Sequence, residues 1–250
     1  MGADPVVLAL AVPAVLFAGI SKGGFGSGAA FAATPILALV LEPAAALGLM
    51  LPLLMLIDLV TVRSFWGGWH GPSAAALILG AVPGVALGVA VFEIAPPDAV
   101  RLLIGVIALG FVVWQMARGR GWIRVPDAPF RWIAGLAAGA VGGFTSFVSH
   151  AGGPPVAMFL LAQGMGKTTY QATTVVTFWA VNAVKAVPYA LFGFFSAETL
   201  TMNLWLAPVA VAGAWLGIHA HHRVPERVFF AIAYVLLTAT GAKLIWDGVT

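Results

Sequence analysis

Long apolar runs follow one another along the chain, and polar or charged positions are confined to the short stretches between them. A helix that spans a bilayer needs about 20 mostly apolar residues, because the hydrocarbon is about 30 Å thick and each residue rises about 1.5 Å. Segments at roughly 43–65, 72–93, 97–117 and 169–195 meet that length, and two more run at about 199–219 and 225–246. Two regions differ. The stretch 5–41 is interrupted at Gly19–Gly28, and the stretch 131–164 at Gly142-Gly143 and again at His150–Pro155. The pieces left on either side are only about 11–16 residues long, short for a full crossing. Glycine and proline at this density predict broken, re-entrant-like hairpins whose freed backbone groups find partners inside the protein.

Composition removes the soluble alternatives. Charged residues make up 8% of the chain and hydrophobic ones 61%, against about 25% charged in soluble proteins. The net charge of +3 comes from 12 basic and 9 acidic residues. With no Lys/Arg cluster for a phosphate backbone, no nucleic-acid partner is expected. No cysteine is present, which excludes thiolate metal sites and cysteine nucleophiles. Met-Gly-Ala-Asp-Pro at the start has no positive n-region, so the first apolar segment is not read as a cleavable signal.

The two interrupted regions open two halves that repeat each other. Gly80–Gly88 matches Val209–Gly217 at five of nine positions. Pro97-Asp98-Ala99-Val100 then matches Pro225-Glu226-Arg227-Val228, and Gly23-Gly24-Phe25 recurs as Gly142-Gly143-Phe144. Residues 1–123 and 124–250 are therefore read as two transmembrane repeats of one membrane domain. Lys and Arg gather in cytoplasmic loops, which puts Arg118, Arg120, Arg124 and Arg131, and hence the loop 118–131, inside a cell inner membrane. If each hairpin returns to its own side, Arg63, His70, Lys167 and the His221-His222-Arg223 turn fall inside. Glu42, Glu93, Asp98, Glu198 and Asp247 then fall outside. Each half crosses a net odd number of times, so the halves are inverted. The expected fold is all-α and polytopic, each repeat being a broken hairpin followed by three transmembrane helices. Such inverted repeats with discontinuous helices are a plan of secondary transporters.

The run Gly-Ile-Ser-Lys-Gly-Gly-Phe-Gly-Ser-Gly at 19–28, and the run His-Ala-Gly-Gly-Pro-Pro-Val-Ala-Met-Phe-Leu-Leu at 150–161, resemble the TauE/SafE family of sulfite exporters. The resemblance extends over the whole chain in length, duplicated halves and glycine-rich breaks, although Phe25 and Ser27 interrupt the first glycine run. It implies export or exchange of a small anion such as sulfite, an organosulfonate or a sulfur-containing carboxylate.

The residues themselves point to the same chemistry. A helix N-terminus presents unpaired N–H groups and partial positive charge to anions. The return helices are predicted to begin near Ser27-Gly28 and near Gly152-Gly153-Pro154. Gly23 and Gly24 let an oxyanion approach backbone, and Ser21, Ser27, Thr145 and Ser149 carry hydroxyl donors. The alternative for these glycines is close helix packing. Lys22 lies in the first break, and Lys185 lies deep in 169–195 with Asn182 on the same face. An intramembrane lysine costs at least about 2.5–3.5 kcal/mol unless paired or snorkelling, which makes it a site candidate. For Lys185 the alternative is a structural ion pair with Asp58. Asp58 and His150 are the candidate proton-coupling groups, and His150 is also a candidate substrate contact. Proton coupling and a homodimer are both compatible with the plan. The tryptophans Trp66, Trp69, Trp122, Trp132, Trp205 and Trp246 read as an interfacial belt. No metal or cofactor is expected, since His219, His221 and His222 have no carboxylate at a ligating spacing. An enzyme would need a nucleophile–base–orienter set, for which the His and carboxylate residues are too scattered. An assembly factor would leave the breaks and Lys185 unexplained, and an anion channel would share the broken helices.

Overall fold

A computed structural model describes residues 5–24, 30–123, 127–220 and 226–250. They form ten α-helices: α1 (Pro5–Gly24), α2 (Ala33–Leu37), α3 (Pro43–Ser64), α4 (Gly71–Ile94), α5 (Pro97–Gly119), α6 (Trp132–Ser149), α7 (Gly153–Ala162), α8 (Lys167–Leu191), α9 (Ala197–Ala220) and α10 (Glu226–Val249). A 3₁₀ turn, Ala30–Ala32, leads into α2. No strand occurs among the described residues. Eight of these helices are long and apolar enough to cross a membrane, which makes the chain a multi-pass membrane protein. Prolines open α3 and α5 at their first turn, where the missing N–H would have had no partner. The order long helix, short helix, three long helices occurs twice, as α1–α5 and as α6–α10.

The predicted hairpins are present with a different anatomy. Helix α1 is 20 residues and α6 is 18, both longer than expected, and the short members are α2 and α7, of 5 and 10 residues. Helix α6 passes through Gly142-Gly143 unbroken, and α1 continues through Gly19 and Gly23 to Gly24. A glycine in a helix costs only about 0.5–1 kcal/mol relative to alanine, and with no water to take the freed backbone groups the hydrogen-bond ladder persists. The second break falls where it was expected, at His150–Gly152. Phe25–Ala29 lie outside the described residues. The ends of the second hairpin meet: the N–H of Ala128, just before α6, donates to Ala162 O at the end of α7, 2.8 Å away. Helix α7 therefore returns to the end of the bundle from which α6 started.

Glycine seams hold the halves together. Helix α4 packs along α6 and α9 packs along α1. A Cβ on Gly84 would overlap Ala140 O and lie 2.9 Å from Phe144 N, and a Cβ on Gly213 would lie 2.7 Å from Leu16 O and 3.4 Å from Ile20 N. In each seam the glycine faces backbone atoms four residues apart on the partner helix, Ala140 and Phe144 in one and Leu16 and Ile20 in the other. Gly23 also belongs to a seam, since a Cβ there would overlap Ala214 O.

Helices α3 and α8 run antiparallel, with Gly48 against Phe194, Asp58 bonded to Asn182, and His70 N–H donating to Thr173 Oγ1 at 2.9 Å. Helices α5 and α10 are antiparallel as well, with Gly105 facing Gly241 and Asp98 facing Gly248. At one end of the bundle Arg101 bridges Glu42 and Asp98 at 2.7 Å each. The other end gathers His70, whose ring meets Phe130 at 5.9 Å, with Arg131 and the start of α8 at Lys167. Trp66, Trp122, Trp132, Trp205 and Trp246 are exposed.

Candidate functional site

The intramembrane polar residues converge where α1, α3, α6 and α8 meet. Lys22 Nζ contacts both carboxylate oxygens of Asp58, at 2.6 and 2.7 Å, and Asn182 Nδ2 donates to Asp58 Oδ2 at 2.9 Å. Lys22 is 4% exposed and Asp58 is wholly buried. The partner of Asp58 is thus Lys22 rather than Lys185. Gln171 Nε2 donates to Lys22 O at 2.6 Å, which anchors the end of α1 to α8, and the Phe178 ring lies 5.9 Å from Lys22 Nζ.

Lys185 is also fully buried. Its Nζ meets Ser146 O at 3.0 Å, Ser146 Oγ at 2.9 Å and His150 Nδ1 at 2.8 Å. Three ammonium protons therefore face three acceptors. No carboxylate pairs with Lys185 among the described residues. Because Nδ1 of His150 accepts, its proton sits on Nε2, which faces Leu47 O at 3.3 Å. His150 closes α6 with φ of 56°, the only non-glycine positive φ among the described residues. That left-handed conformation costs roughly 1–2 kcal/mol, and the ring's bonds to α8 and α3 hold it.

A small cavity between these groups is lined by Lys22, Ala30, Phe31, Leu54, Ser146, His150, Phe178 and Asn182. Of the residues predicted from sequence, Lys22, Asn182 and His150 line it; Asp58 stands directly behind Lys22, and Lys185 behind Ser146 and His150. Ser149 is buried, but its hydroxyl donates to Thr145 O at 3.1 Å, as Thr145 does to Val141 O at 2.9 Å. Ser21, Gly23, Gly24, Gly152 and Gly153 are buried close by. A Cβ on Gly24 would overlap Gly217 O, and one on Gly152 would lie 2.6 Å from Gly142 O and 2.7 Å from Phe178. Both glycines therefore serve close packing. Ser27 and Gly28 lie outside the described residues, as does the His221-His222-Arg223 turn. Helix α7 begins Gly153-Pro154-Pro155, so two of its first three residues carry no N–H. Little backbone donor capacity remains there, and the positive charge comes from side chains.

Sequence reasoning missed Ser146, Gln171, Phe178 and Tyr189, whose hydroxyl donates to Phe147 O at 2.6 Å. Gln171, Phe178, Asn182, Lys185 and Tyr189 recur at spacings of seven, four, three and four, one helix face. Ser146 stands one turn before His150. Those spacings were the available signal.

Among the described residues the buried charged side chains are two lysines and one aspartate, a net of +1 when all are ionised. Among the described residues no group of three or more His, Asp or Glu is placed to hold a metal. Together these features define a multi-pass helical membrane protein with a cationic polar centre inside its helix bundle. The family model "Sulfite exporter TauE/SafE" matches residues 11–244, nearly the whole chain, and the chain belongs to that family. It is a family of membrane transporters rather than enzymes, and membership implies transmembrane transport of sulfite or a related anion. No match was found among curated proteins or among solved structures.

Proposed function

We propose that the protein is a secondary transporter that exports a small oxyanion, sulfite or an organosulfonate, by alternating access between two inverted halves, 1–123 and 124–250. The observation that carries this reading is the excess of buried lysine over carboxylate among the described residues: Lys22 and Lys185 against Asp58. An isolated lysine in hydrocarbon is costly, and a monoanion in the cavity brings the net charge there to zero. A dianion is neutralised when one proton accompanies it. Asp58 is the group placed to take that proton, since anion binding draws Lys22 Nζ away from its carboxylate. His150 is the second candidate.

The inverted reading is supported by antiparallel packing of the paired helices α3 with α8 and α5 with α10, and by the matching seams of α1 on α9 and α6 on α4. Helices related by a two-fold axis in the membrane plane must run antiparallel, as α3 and α8 do where Asn182 bonds Asp58. Sites at such an interface lie near the midplane. A majority of acidic residues at one end of the bundle, where Arg101 and Lys243 are ion-paired to them, and of basic residues at the other supports a cytoplasmic 118–131 loop in an inner membrane. The export direction follows the family.

Flux into proteoliposomes over a panel of sulfite, an organosulfonate, a carboxylate and chloride tests the reading. Saturable sulfite or sulfonate flux is expected, abolished by Lys22→Met. Absence of flux for every anion, or flux indifferent to Lys22→Met, overturns it.

A further inference from the structure

We infer that the hydroxyl of Ser146 is a direct ligand for the transported oxyanion, and that Lys185 is a positioning residue that turns this hydroxyl into the cavity rather than a ligand itself. The inference rests on the anion-transport reading and concerns which groups touch the anion. Lys185 is absent from the cavity wall, while Ser146, His150, Lys22 and Asn182 form its polar lining.

The orientation follows from donor accounting. Serine and threonine in a helix commonly donate to a carbonyl one turn back, as Ser149 and Thr145 do here. Ser146 makes no such bond. The carbonyl one turn back, Gly142 O, lies against Gly152 and within 3.4 Å of Thr145 Oγ1. Lys185 Nζ instead donates to Ser146 Oγ at 2.9 Å. With Lys185 as an ammonium, which cannot accept, the hydroxyl proton of Ser146 points elsewhere, and Ser146 Oγ donates to no other described residue. Ser146 is 1% exposed, so water outside the bundle does not supply one. A buried donor without an acceptor is costly. An oxyanion oxygen in the cavity is the acceptor that fits, with Lys22 Nζ, hydrogen-bonded to Asp58 Oδ2, on another side. Lys185 also bonds His150 Nδ1 at 2.8 Å, which keeps that ring nitrogen, an acceptor that would repel an anion, occupied.

The test is equilibrium binding of sulfite to the purified full-length protein in detergent, with sulfite counterflow in proteoliposomes alongside. Ser146→Ala is expected to raise the Kd for sulfite about tenfold or more, as loss of a hydrogen bond to a charged group does. Ser146→Thr, which keeps the hydroxyl, stays within about threefold of wild type, and Ser149→Ala, whose hydroxyl is already donated to Thr145 O, is unchanged. In a Lys185→Met background Ser146→Ala costs less than about twofold, because the hydroxyl is no longer aimed. Lys185→Gln repeats that comparison if Lys185→Met does not fold. Wild-type affinity in Ser146→Ala overturns the ligand assignment. A tenfold loss that persists in both Lys185 backgrounds overturns the positioning role. Failure of the wild type to bind or exchange any anion is the separate outcome that removes the transport reading.

Discussion

Consider the removal of one partner from the Lys22–Asp58 pair. The carboxylate is wholly buried and held by Lys22 Nζ at 2.6 and 2.7 Å and by Asn182 Nδ2 at 2.9 Å. Lys22→Met leaves Asp58 with one neutral hydrogen bond in a low-dielectric interior, and Asp58→Asn leaves an ammonium there with no carboxylate. Breaking a buried pair from one side costs about 3–5 kcal/mol, whereas replacing both partners with neutral groups of similar size is often nearly neutral. Lys22→Met and Asp58→Asn should therefore each destabilise the protein by about that amount. The double variant should regain most of it, a coupling of several kcal/mol. Unfolding of the purified protein in mixed micelles, followed by circular dichroism, reads the stability, and sulfite counterflow reads function. All three variants should lose transport, because a pair suited to structure alone would restore transport along with stability in the double variant. Two results refute the reasoning: a double variant whose loss equals the sum of the single losses, and a stable double variant that transports normally.

Further outcomes follow from the same geometry. Gly217→Ala places a Cβ over Ile20 O and 3.0 Å from Gly23 Cα and should cost about 1–3 kcal/mol by overpacking. Gly110→Ala, with nothing within 4 Å, should cost nothing in the same unfolding assay. Arg101→Ala removes two ion pairs whose carboxylates are 66% and 64% exposed, and stability should change by no more than about 1 kcal/mol. The chain has no cysteine, so single-cysteine labelling reads topology cleanly. Positions 42 and 198 should label from one side of the membrane and position 167 from the other, and labelling of 42 and 198 from opposite sides overturns the inverted arrangement.

Much of this was legible before any coordinates. Segment lengths identified the helices because the thickness of hydrocarbon dictates them. Scarcity of charge made Lys22, Asp58, Lys185, His150 and Asn182 conspicuous, and their convergence on one cavity or its immediate backing needed only that intramembrane polar groups seek each other. The glycines were harder. Gly142-Gly143 reads equally as a break or as a contact surface, and only the presence of α7 against Gly142 and of α4 against Gly143 decides between them.

What the sequence determined by itself was the membrane, most of the long helices that cross it and the few polar groups that must be buried. What only the tertiary structure decided was partnership. Asp58 takes Lys22, 36 residues away, and Asn182, 124 away, while Lys185 turns to Ser146 and His150. The reason is physical. In a soluble helix the apolar stripe marks the inward face, but here lipid and core are equally apolar, so periodicity does not say which side of a helix faces its neighbours. Helix phase is then set by close packing of glycine seams and by a handful of polar bonds, and these exist only once the helices have come together.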